Sequence, residues 1–348
     1  MNKRLTLSLD AMGGDQAPRM VVEGIEIAAD RLPEVDYLLV GDERRLAPLL
    51  DRFPKARAHA QIQHTEDAVA DEDKAAVALR GGRNTSMRLA INAVAEGRAD
   101  GVISAGNTGA LMAMAKFVFK MLPGIDRPAI VAYFPTQRGA SVMLDMGANV
   151  ECDVENLVQF AVMGEVFARN VLGVKQPSIG LLNVGVEGGK GTDSLRKASA
   201  ILRESVLPMK FHGFVEGDDI GEGTVDVVVT DGFTGNVALK TAEGTARMVG
   251  HFLRAALTSS TLAKLGALLA KDALNEFRSH MDPRRYNGAM LVGLNGICVK
   301  SHGSTDELGF ANAIGVAANL IAGGVNERIK EDLERLISGG TSQDAAVL

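Results

Sequence analysis

Apolar residues in this 348-residue chain come in short unbroken runs, each followed by a loop rich in Gly, Asn or Asp and then by a stretch with helical spacing. The runs at 5–9, 36–40, 57–63, 100–104, 129–134, 141–145, 178–183, 211–215, 225–230 and 295–299 predict strands. Most are continuous Val/Ile/Leu segments, the pattern of strands buried on both faces. Helical spacing covers 19–31, 86–96, 108–120, 154–172, 193–206 and 234–256. This alternation implies an α/β fold of three layers: a doubly wound, mostly parallel sheet with helices on both faces. No internal repeat or long linker interrupts it, so residues 1–338 are expected to form a single α/β domain, with 339–348 as a flexible tail.

The alternation fails once. From Thr258 to about Arg285 the pattern is helical without a strand. Lys264, Lys271 and Arg278 recur every seven residues there, with Leu262, Leu265 and Leu269 on roughly the opposite side. Such an excursion fits first a helix packed on its own domain or in a dimer interface, and second a helix docked on a membrane surface or a partner. The longest apolar stretch, Val102 to Leu122, contains Asn107 and Lys116 and is broken by glycines, so it does not read as a membrane span. The start, MNKRLTLSLD, leads an apolar run too short for a signal peptide.

Composition narrows the choice. Absence of Trp, 4% aromatic residues and a net charge of −6 argue against base stacking and a nucleic-acid footprint. Any acidic partner must then dock on a local basic patch against the overall field. Cys152 and Cys298 have no metal-ligand or redox spacing; they read as buried small hydrophobes in a reducing cytoplasm. The 39 glycines, without low-complexity tracts, point to many tight loops.

The candidate chemistry lies in those loops. LDAMGGDQAP (9–18) runs from a strand into Asp10, Gly13, Gly14 and Asp15, with glycines for close backbone approach but no P-loop lysine. Similar junctions occur in VISAGNTGALM, VMLDMGANV, IGLLNVGVEGGKG, VVVTDGFTGNVALK and ICVKSHGSTDELG. Loops at the carboxyl ends of parallel strands converge on a crevice, and helix N-termini there suit an anion. Asn107, Thr108, Asn149, Thr234 and Asn236 add short polar groups, so a phosphate-sized or carbonyl-binding crevice is expected. Asp10, Asp15, Asp145 and Asp231 fall at strand ends, either sharing a metal or capping helices and bracing loops. Lys190, between glycines, reads as a solvated loop lysine or as a cation for phosphate or an oxyanion. His302 is open between acid–base and structural roles. No Ser-His-Asp or Cys-His spacing is evident.

Taken together, LDAMGGDQAP, SAGNTGA, DMGAN, LLNVGVEGGKG, TDGFTGNVALK and KSHGS resemble the PlsX-type phosphate acyltransferases, over about residues 5–330. The resemblance implies transfer of a fatty acyl group from acyl-[acyl carrier protein] to inorganic phosphate, giving acyl phosphate for phospholipid synthesis. It implies a fold similar to the isocitrate/isopropylmalate dehydrogenase and phosphotransacetylase group, without a nucleotide cofactor or metal. It further implies a cytoplasmic homodimer peripherally associated with the inner face of the membrane, supplying the acyl-phosphate:glycerol-3-phosphate acyltransferase. Phosphate would be the nucleophile, stabilised with the tetrahedral oxyanion by Lys190 and Asn236. Asp10, Gly13, Gly14, Asp15, Ser104, Asn107, Thr108, Asp145, Asn149, Asp231 and His302 would form the pocket. Asp10 and Asp15 would brace their loop there, since carboxylates facing a dianion repel it. Lys264, Lys271, Arg278, Arg284 and Arg285 would receive the acidic carrier or anionic lipid. The chain departs from the family at Tyr286-Asn287-Gly288-Ala289, where Tyr-Gly-Gly-Ala is usual; Asn, tolerant of positive φ, is expected to preserve the turn. The rival readings are a coenzyme A-dependent short-chain phosphotransacetylase, an NAD-dependent dehydrogenase lacking a convincing GxGxxG, and a non-enzymatic membrane scaffold.

Overall fold

Every run predicted as a strand contributes one, and an eleventh joins them. A computed structural model describes residues 4–205, 209–280 and 282–339. Its strands are β1 (Leu5–Asp10), β2 (Val35–Gly41), β3 (Ala60–His64), β4 (Gly101–Ser104), β5 (Ala129–Thr136), β6 (Gly139–Leu144), β7 (Ser178–Leu182), β8 (Lys210–Val215), β9 (Val227–Val229), β10 (Ala289–Val292) and β11 (Ile297–Lys300). They form one 11-stranded sheet in the order β3-β2-β1-β4-β11-β10-β5-β6-β9-β7-β8. β10 escaped the sequence reading because it is only four residues long, between Gly288 and Gly293. The predicted run 57–63 starts late: Pro54 opens a short helix, Pro54–His59, before β3 begins.

The sheet consists of two parallel blocks joined by an antiparallel centre. β1, β2, β3, β4 and β11 run together. β10 is antiparallel to both β11 and β5, and β5 is antiparallel to β6. β6, β7, β8 and β9 are again mutually parallel, so the second block runs opposite to the first. A single crevice along one edge, expected from a parallel sheet, is therefore replaced by two sets of strand-end loops.

Helices cover both faces. Arg19–Arg31, Val154–Val171 and Glu307–Ala322 pack into one apolar core; Ser86–Ala95 and Thr108–Phe119 pack into the other. Glu307–Ala322 lacked a sequence signal because ELGFANAIGVAANLIA is apolar on nearly every side, as a buried helix can be. Four short helices, Glu43–Leu50, Pro54–His59, Ala75–Gly81 and Gly217–Glu222, and the C-terminal Val325–Gly339 were also unpredicted. Among the described residues no single helix is long and apolar enough to cross a membrane.

The excursion is helical, as predicted. Gly232–Thr258 buries only Gly232 and Gly235, and leads into Thr261–Leu269 and Lys271–His280. Leu262 and Leu269 are 78% and 82% exposed. The seven-residue spacing does not define one helical face, because Ala270 separates Lys264 from Lys271 and the two lie on different helices. The side chain of Arg278 lies outside the described residues, as does the segment 340–348 of the predicted tail.

Phe310 is fully buried against Gly24, where an added Cβ would lie 2.9 Å from the Phe310 ring. Phe310→Ala is expected to cost about 3–5 kcal/mol, seen as a lower denaturant midpoint at unchanged slope.

Candidate active site

The first set of loops is organised by a buried carboxylate. Asp10, at the tip of β1, accepts the Ser86 hydroxyl at 2.6 Å and the Ser104 hydroxyl at 2.7 Å, and the Met12 N–H at 3.4 Å. This ties β1 to the end of β4 and to the start of helix Ser86–Ala95. Burial pushes the Asp10 pKa up, while those donors and Lys300 pull it back. Gly13 must be glycine: a Cβ there would stand 2.6 Å from both Asp10 Oδ2 and the Gly106 nitrogen. The Asp15 N–H donates to Gly303 O at 2.9 Å, and Ser301 N–H to Ser104 O at 2.9 Å, so the loops after β1, β4 and β11 form one unit. Asn107 Oδ1 caps helix Thr108–Phe119 through Ala110 N–H, and its amide donates to Asp71 O and Asp73 O. Its side chain is thus committed to structure, leaving Thr108 exposed at the first helical position.

Asp145 does the same for the second set. Its buried carboxylate accepts the N–H groups of Ile130, Gly147, Ala148 and Asn149 and the Asn149 amide, at 2.7–3.2 Å. Asn149 also donates to Pro128 O at 2.8 Å. The tip of β9 then docks on this loop: Gly232 N–H donates to Asn149 O, and a Cβ on Gly235 would fall 1.9 Å from Asp145 O. Asp231 caps helix Gly232–Thr258 by accepting Thr234 N–H and Oγ at 2.8 Å. Asn236 is exposed beside Gly147, about one turn inside that helix. The four strand-end acids therefore divide into two clusters, and among the described residues no group of three or more His, Cys, Asp or Glu side chains is placed to hold a metal.

Helix Gly232–Thr258 carries the second set toward the first. The charges acting on His302 are those of Lys240 and Glu243, from this helix, and of Lys300 and Asp15, from the first cluster. Burial and then Lys240 hold the His302 pKa below its ordinary value. Ser304 N–H points at Nδ1 (3.3 Å), and the Ser304 hydroxyl lies 3.0 Å away. Nδ1 is thus an acceptor, and the neutral ring carries its proton on Nε2, where it serves as a donor.

Lys300 was not singled out from the sequence, although a lysine closing the apolar run ICV was the available signal. Its Nζ donates to Ala105 O at 3.2 Å and to Ser301 O, leaving a third N–H for a ligand. Burial lowers its pKa to about 8, against the pull of Asp10, Asp71 and Asp15. Asn287 was read for the wrong reason. It is extended, at φ −75°, and Gly288 takes the positive φ of 114°. The Asn287 amide donates to Ser301 Oγ (2.8 Å) and Gly309 O (2.7 Å), and its Oδ1 accepts His302 N–H (2.9 Å), so it shapes the loop after β11.

Lys190 is exposed on the loop after β7, where the buried Asn183 amide donates to Gly185 O and Lys190 O. Arg284 is neutralised by Asp282 (2.6 Å) and Asp306 (2.9 Å), which hold its pKa above the ordinary value. Arg285, Lys264 and Lys271 are exposed. The thiols of Cys152 and Cys298 are pushed up to about 12 by burial, which leaves neither as a thiolate nucleophile.

The first cluster thus gathers the Lys300 ammonium, the His302 imidazole and the loops after β1, β4 and β11, groups suited to an oxyanion. A family model described as "Fatty acid synthesis protein" matches residues 5–328. A protein of Rhodospirillum centenum named phosphate acyltransferase is 63% identical over 336 residues, 97% of this chain and 95% of that one. One of the same name from Paramagnetospirillum magneticum is 60% identical, covering 97% and 96%. Among solved structures, phosphotransacetylases from Staphylococcus aureus and Streptococcus pyogenes both superpose with a TM-score of 0.61. At 16% and 17% identity, covering 91% and 92% of this chain and 94% and 95% of theirs, they establish a shared fold.

Sulfate, a dianion at all working pH values, tests the cluster. Lys300 is cationic below its pKa of about 8, so sulfate affinity is expected to fall as pH rises through that value. In Lys300→Met the affinity is weaker and this pH dependence is absent. Titration calorimetry checks both, and a wild-type affinity constant across the range would contradict the assignment.

Proposed function

Because the chain belongs to the fatty acid synthesis protein family, we propose that it is an acyltransferase moving a fatty acyl group from acyl-[acyl carrier protein] to inorganic phosphate. The observation that carries this reading is the 63% identity, over 97% of the chain, to a protein named phosphate acyltransferase. The site agrees with it chemically. A phosphate oxygen attacks the thioester carbonyl carbon, a tetrahedral oxyanion forms, and the carbon–sulfur bond breaks. The products are acyl phosphate and the carrier thiol, which takes its proton from solvent. Phosphate supplies the nucleophile, so the protein need only hold the dianion and the carbonyl together and stabilise the developing charge. Among the described residues the contact of Ser304 Oγ with His302 Nδ1 is a local turn, and Ser86 and Ser104 are committed to Asp10.

In this reading Lys190 and Asn236 stabilise phosphate and the oxyanion. Lys300 and the Nε2–H of His302 hold phosphate over the first loop cluster, in which Gly13 and Gly14 permit the close packing of the loops and Thr108 is exposed. Asp10, Asp145 and Asp231 fix the loops, and Ser104, Asn107 and Asn149 act through them. The continuous sheet supports treating 1–338 as one domain from which 258–285 projects. The exposed Met248, Phe252, Leu262, Leu265, Leu268 and Leu269 call for cover, which a second copy of the chain and a lipid surface would share. The protein would then be a cytoplasmic homodimer at the inner face of the membrane, passing acyl phosphate to the acyltransferase that acylates glycerol 3-phosphate.

Incubation with long-chain acyl-[acyl carrier protein] and phosphate is expected to yield acyl phosphate by mass detection; none with a folded protein would overturn the reading. Lys190→Ala and Asn236→Ala are each expected to lower turnover by ~10²–10³ without loss of fold. Wild-type turnover in both would remove these roles.

A further inference from the structure

Segments 74–95 and 101–125 of this acidic chain contain no acid, as do 166–186, 244–271 and 283–305. The first two include helices Ala75–Gly81, Ser86–Ala95 and Thr108–Phe119, which pack side by side on one face of the sheet. Two of the cations they carry flank one exposed aromatic ring. Phe117 is 53% exposed, with the Arg88 guanidinium 5.0 Å and the Lys120 ammonium 4.8 Å from its centroid. Arg80, Arg83 and Lys116 are exposed in the same segments, and Arg83 repels Arg88 strongly enough to help lower its pKa. Glu96, the next acid along the chain, is paired with Arg98 at 2.8 Å.

The backbone at this patch is strained. Among the described residues Lys120 is the non-glycine with positive φ, at φ 60° and ψ 175°, a region occupied almost only by glycine. It closes helix Thr108–Phe119, where glycine would relieve the strain. A lysine held there instead places its ammonium over Phe117.

We propose that this Phe117-centred basic patch is the docking surface for the acidic carrier protein that delivers the acyl thioester, a proposal that rests on the acyltransfer reading above. Helix Thr108–Phe119 links the two places directly. Its first turn adjoins the Asp10 and Lys300 loops, and Phe117 stands about 15 Å further along at 1.5 Å per residue. Cations around an apolar anchor match an acidic protein that presents a small apolar contact. A discrete protein suits the site better than a bilayer, because the acidic segment 66–73 flanks it. Asp67 O accepts Ser86 N–H, and Asp71 O and Asp73 O accept the Asn107 amide. A flat anionic surface spread over this face would also cover the acids of that segment, whereas a discrete protein contacts the cations at Phe117 alone. Arg284, by contrast, is already neutralised by two aspartates.

The test is the affinity of fluorescently labelled acyl carrier protein, by anisotropy, as a function of salt. Arg83→Glu and Lys120→Glu are each expected to weaken binding at least tenfold and to flatten its salt dependence. Arg57→Glu, on a helix packed into the opposite core, makes the same charge change and is expected to stay within twofold. Lys120→Gly is expected to weaken binding severalfold yet unfold at the same or a higher temperature. Wild-type affinity in Arg83→Glu and Lys120→Glu, or an equal loss in Arg57→Glu, would overturn the proposal. So would loss of binding to phosphatidylglycerol vesicles with carrier affinity intact. Patch-dependent carrier binding without acyl phosphate formation would leave the docking surface standing and remove the acyltransfer reading. Acyl phosphate formation with unaltered binding in the variants would do the reverse.

Discussion

Two buried carboxylates hold this molecule's strand tips in place. Asp10 and Asp145 are 1% and 0% exposed; Asp10 is surrounded by donors from segments far apart in sequence, and Asp145 by donors from its own loop and the neighbouring strand β5. A carboxylate taken from water is stable only when its lone pairs are occupied, so each acid draws the surrounding N–H and O–H groups into fixed positions. Glycine is required around them for the same reason. Neither the approach of Gly13 to Gly106 nor that of Gly235 to Asp145 leaves room for a side chain.

That constraint explains how a site can arise on a sheet whose halves run in opposite directions. The first cluster is locked to itself through Gly303, Ser301 and Asp15, and the second through Asn149 and Gly232. Each is rigid separately. Helix Gly232–Thr258 links them, with the charges of its Lys240 and Glu243 acting on His302. The same helix extends beyond the body of the protein into the exposed leucines of Thr261–Leu269, so one element joins the site to the projecting surface.

The fold was largely legible in the sequence because buried parallel strands leave continuous apolar runs, and all ten predicted runs contribute to the sheet. What escaped had weak patterning. β10 has four residues, and Glu307–Ala322 is too uniformly apolar to show a period. The reversal between the blocks was invisible, since a run of Val and Ile carries no direction. At the site, glycine, asparagine and aspartate marked the loops correctly but not their tasks: Asn107 and Asn149 look like ligand groups in sequence and are hydrogen-bonded to their own loops in space. Lys300 was hidden for the opposite reason, as the last residue of an apolar strand. Asn287 could not be understood without its partners across the loop after β11.

Fixed loops, a neutral imidazole donor and lysines suit a reaction in which the attacking group arrives as a bound anion and the polypeptide never carries the acyl group. The most direct measurement of that claim is exchange of label between free carrier protein and acyl carrier protein with phosphate absent. Direct attack by phosphate predicts no exchange until phosphate is added. Exchange at a rate comparable to turnover without phosphate would reveal an acyl-protein intermediate and contradict the account.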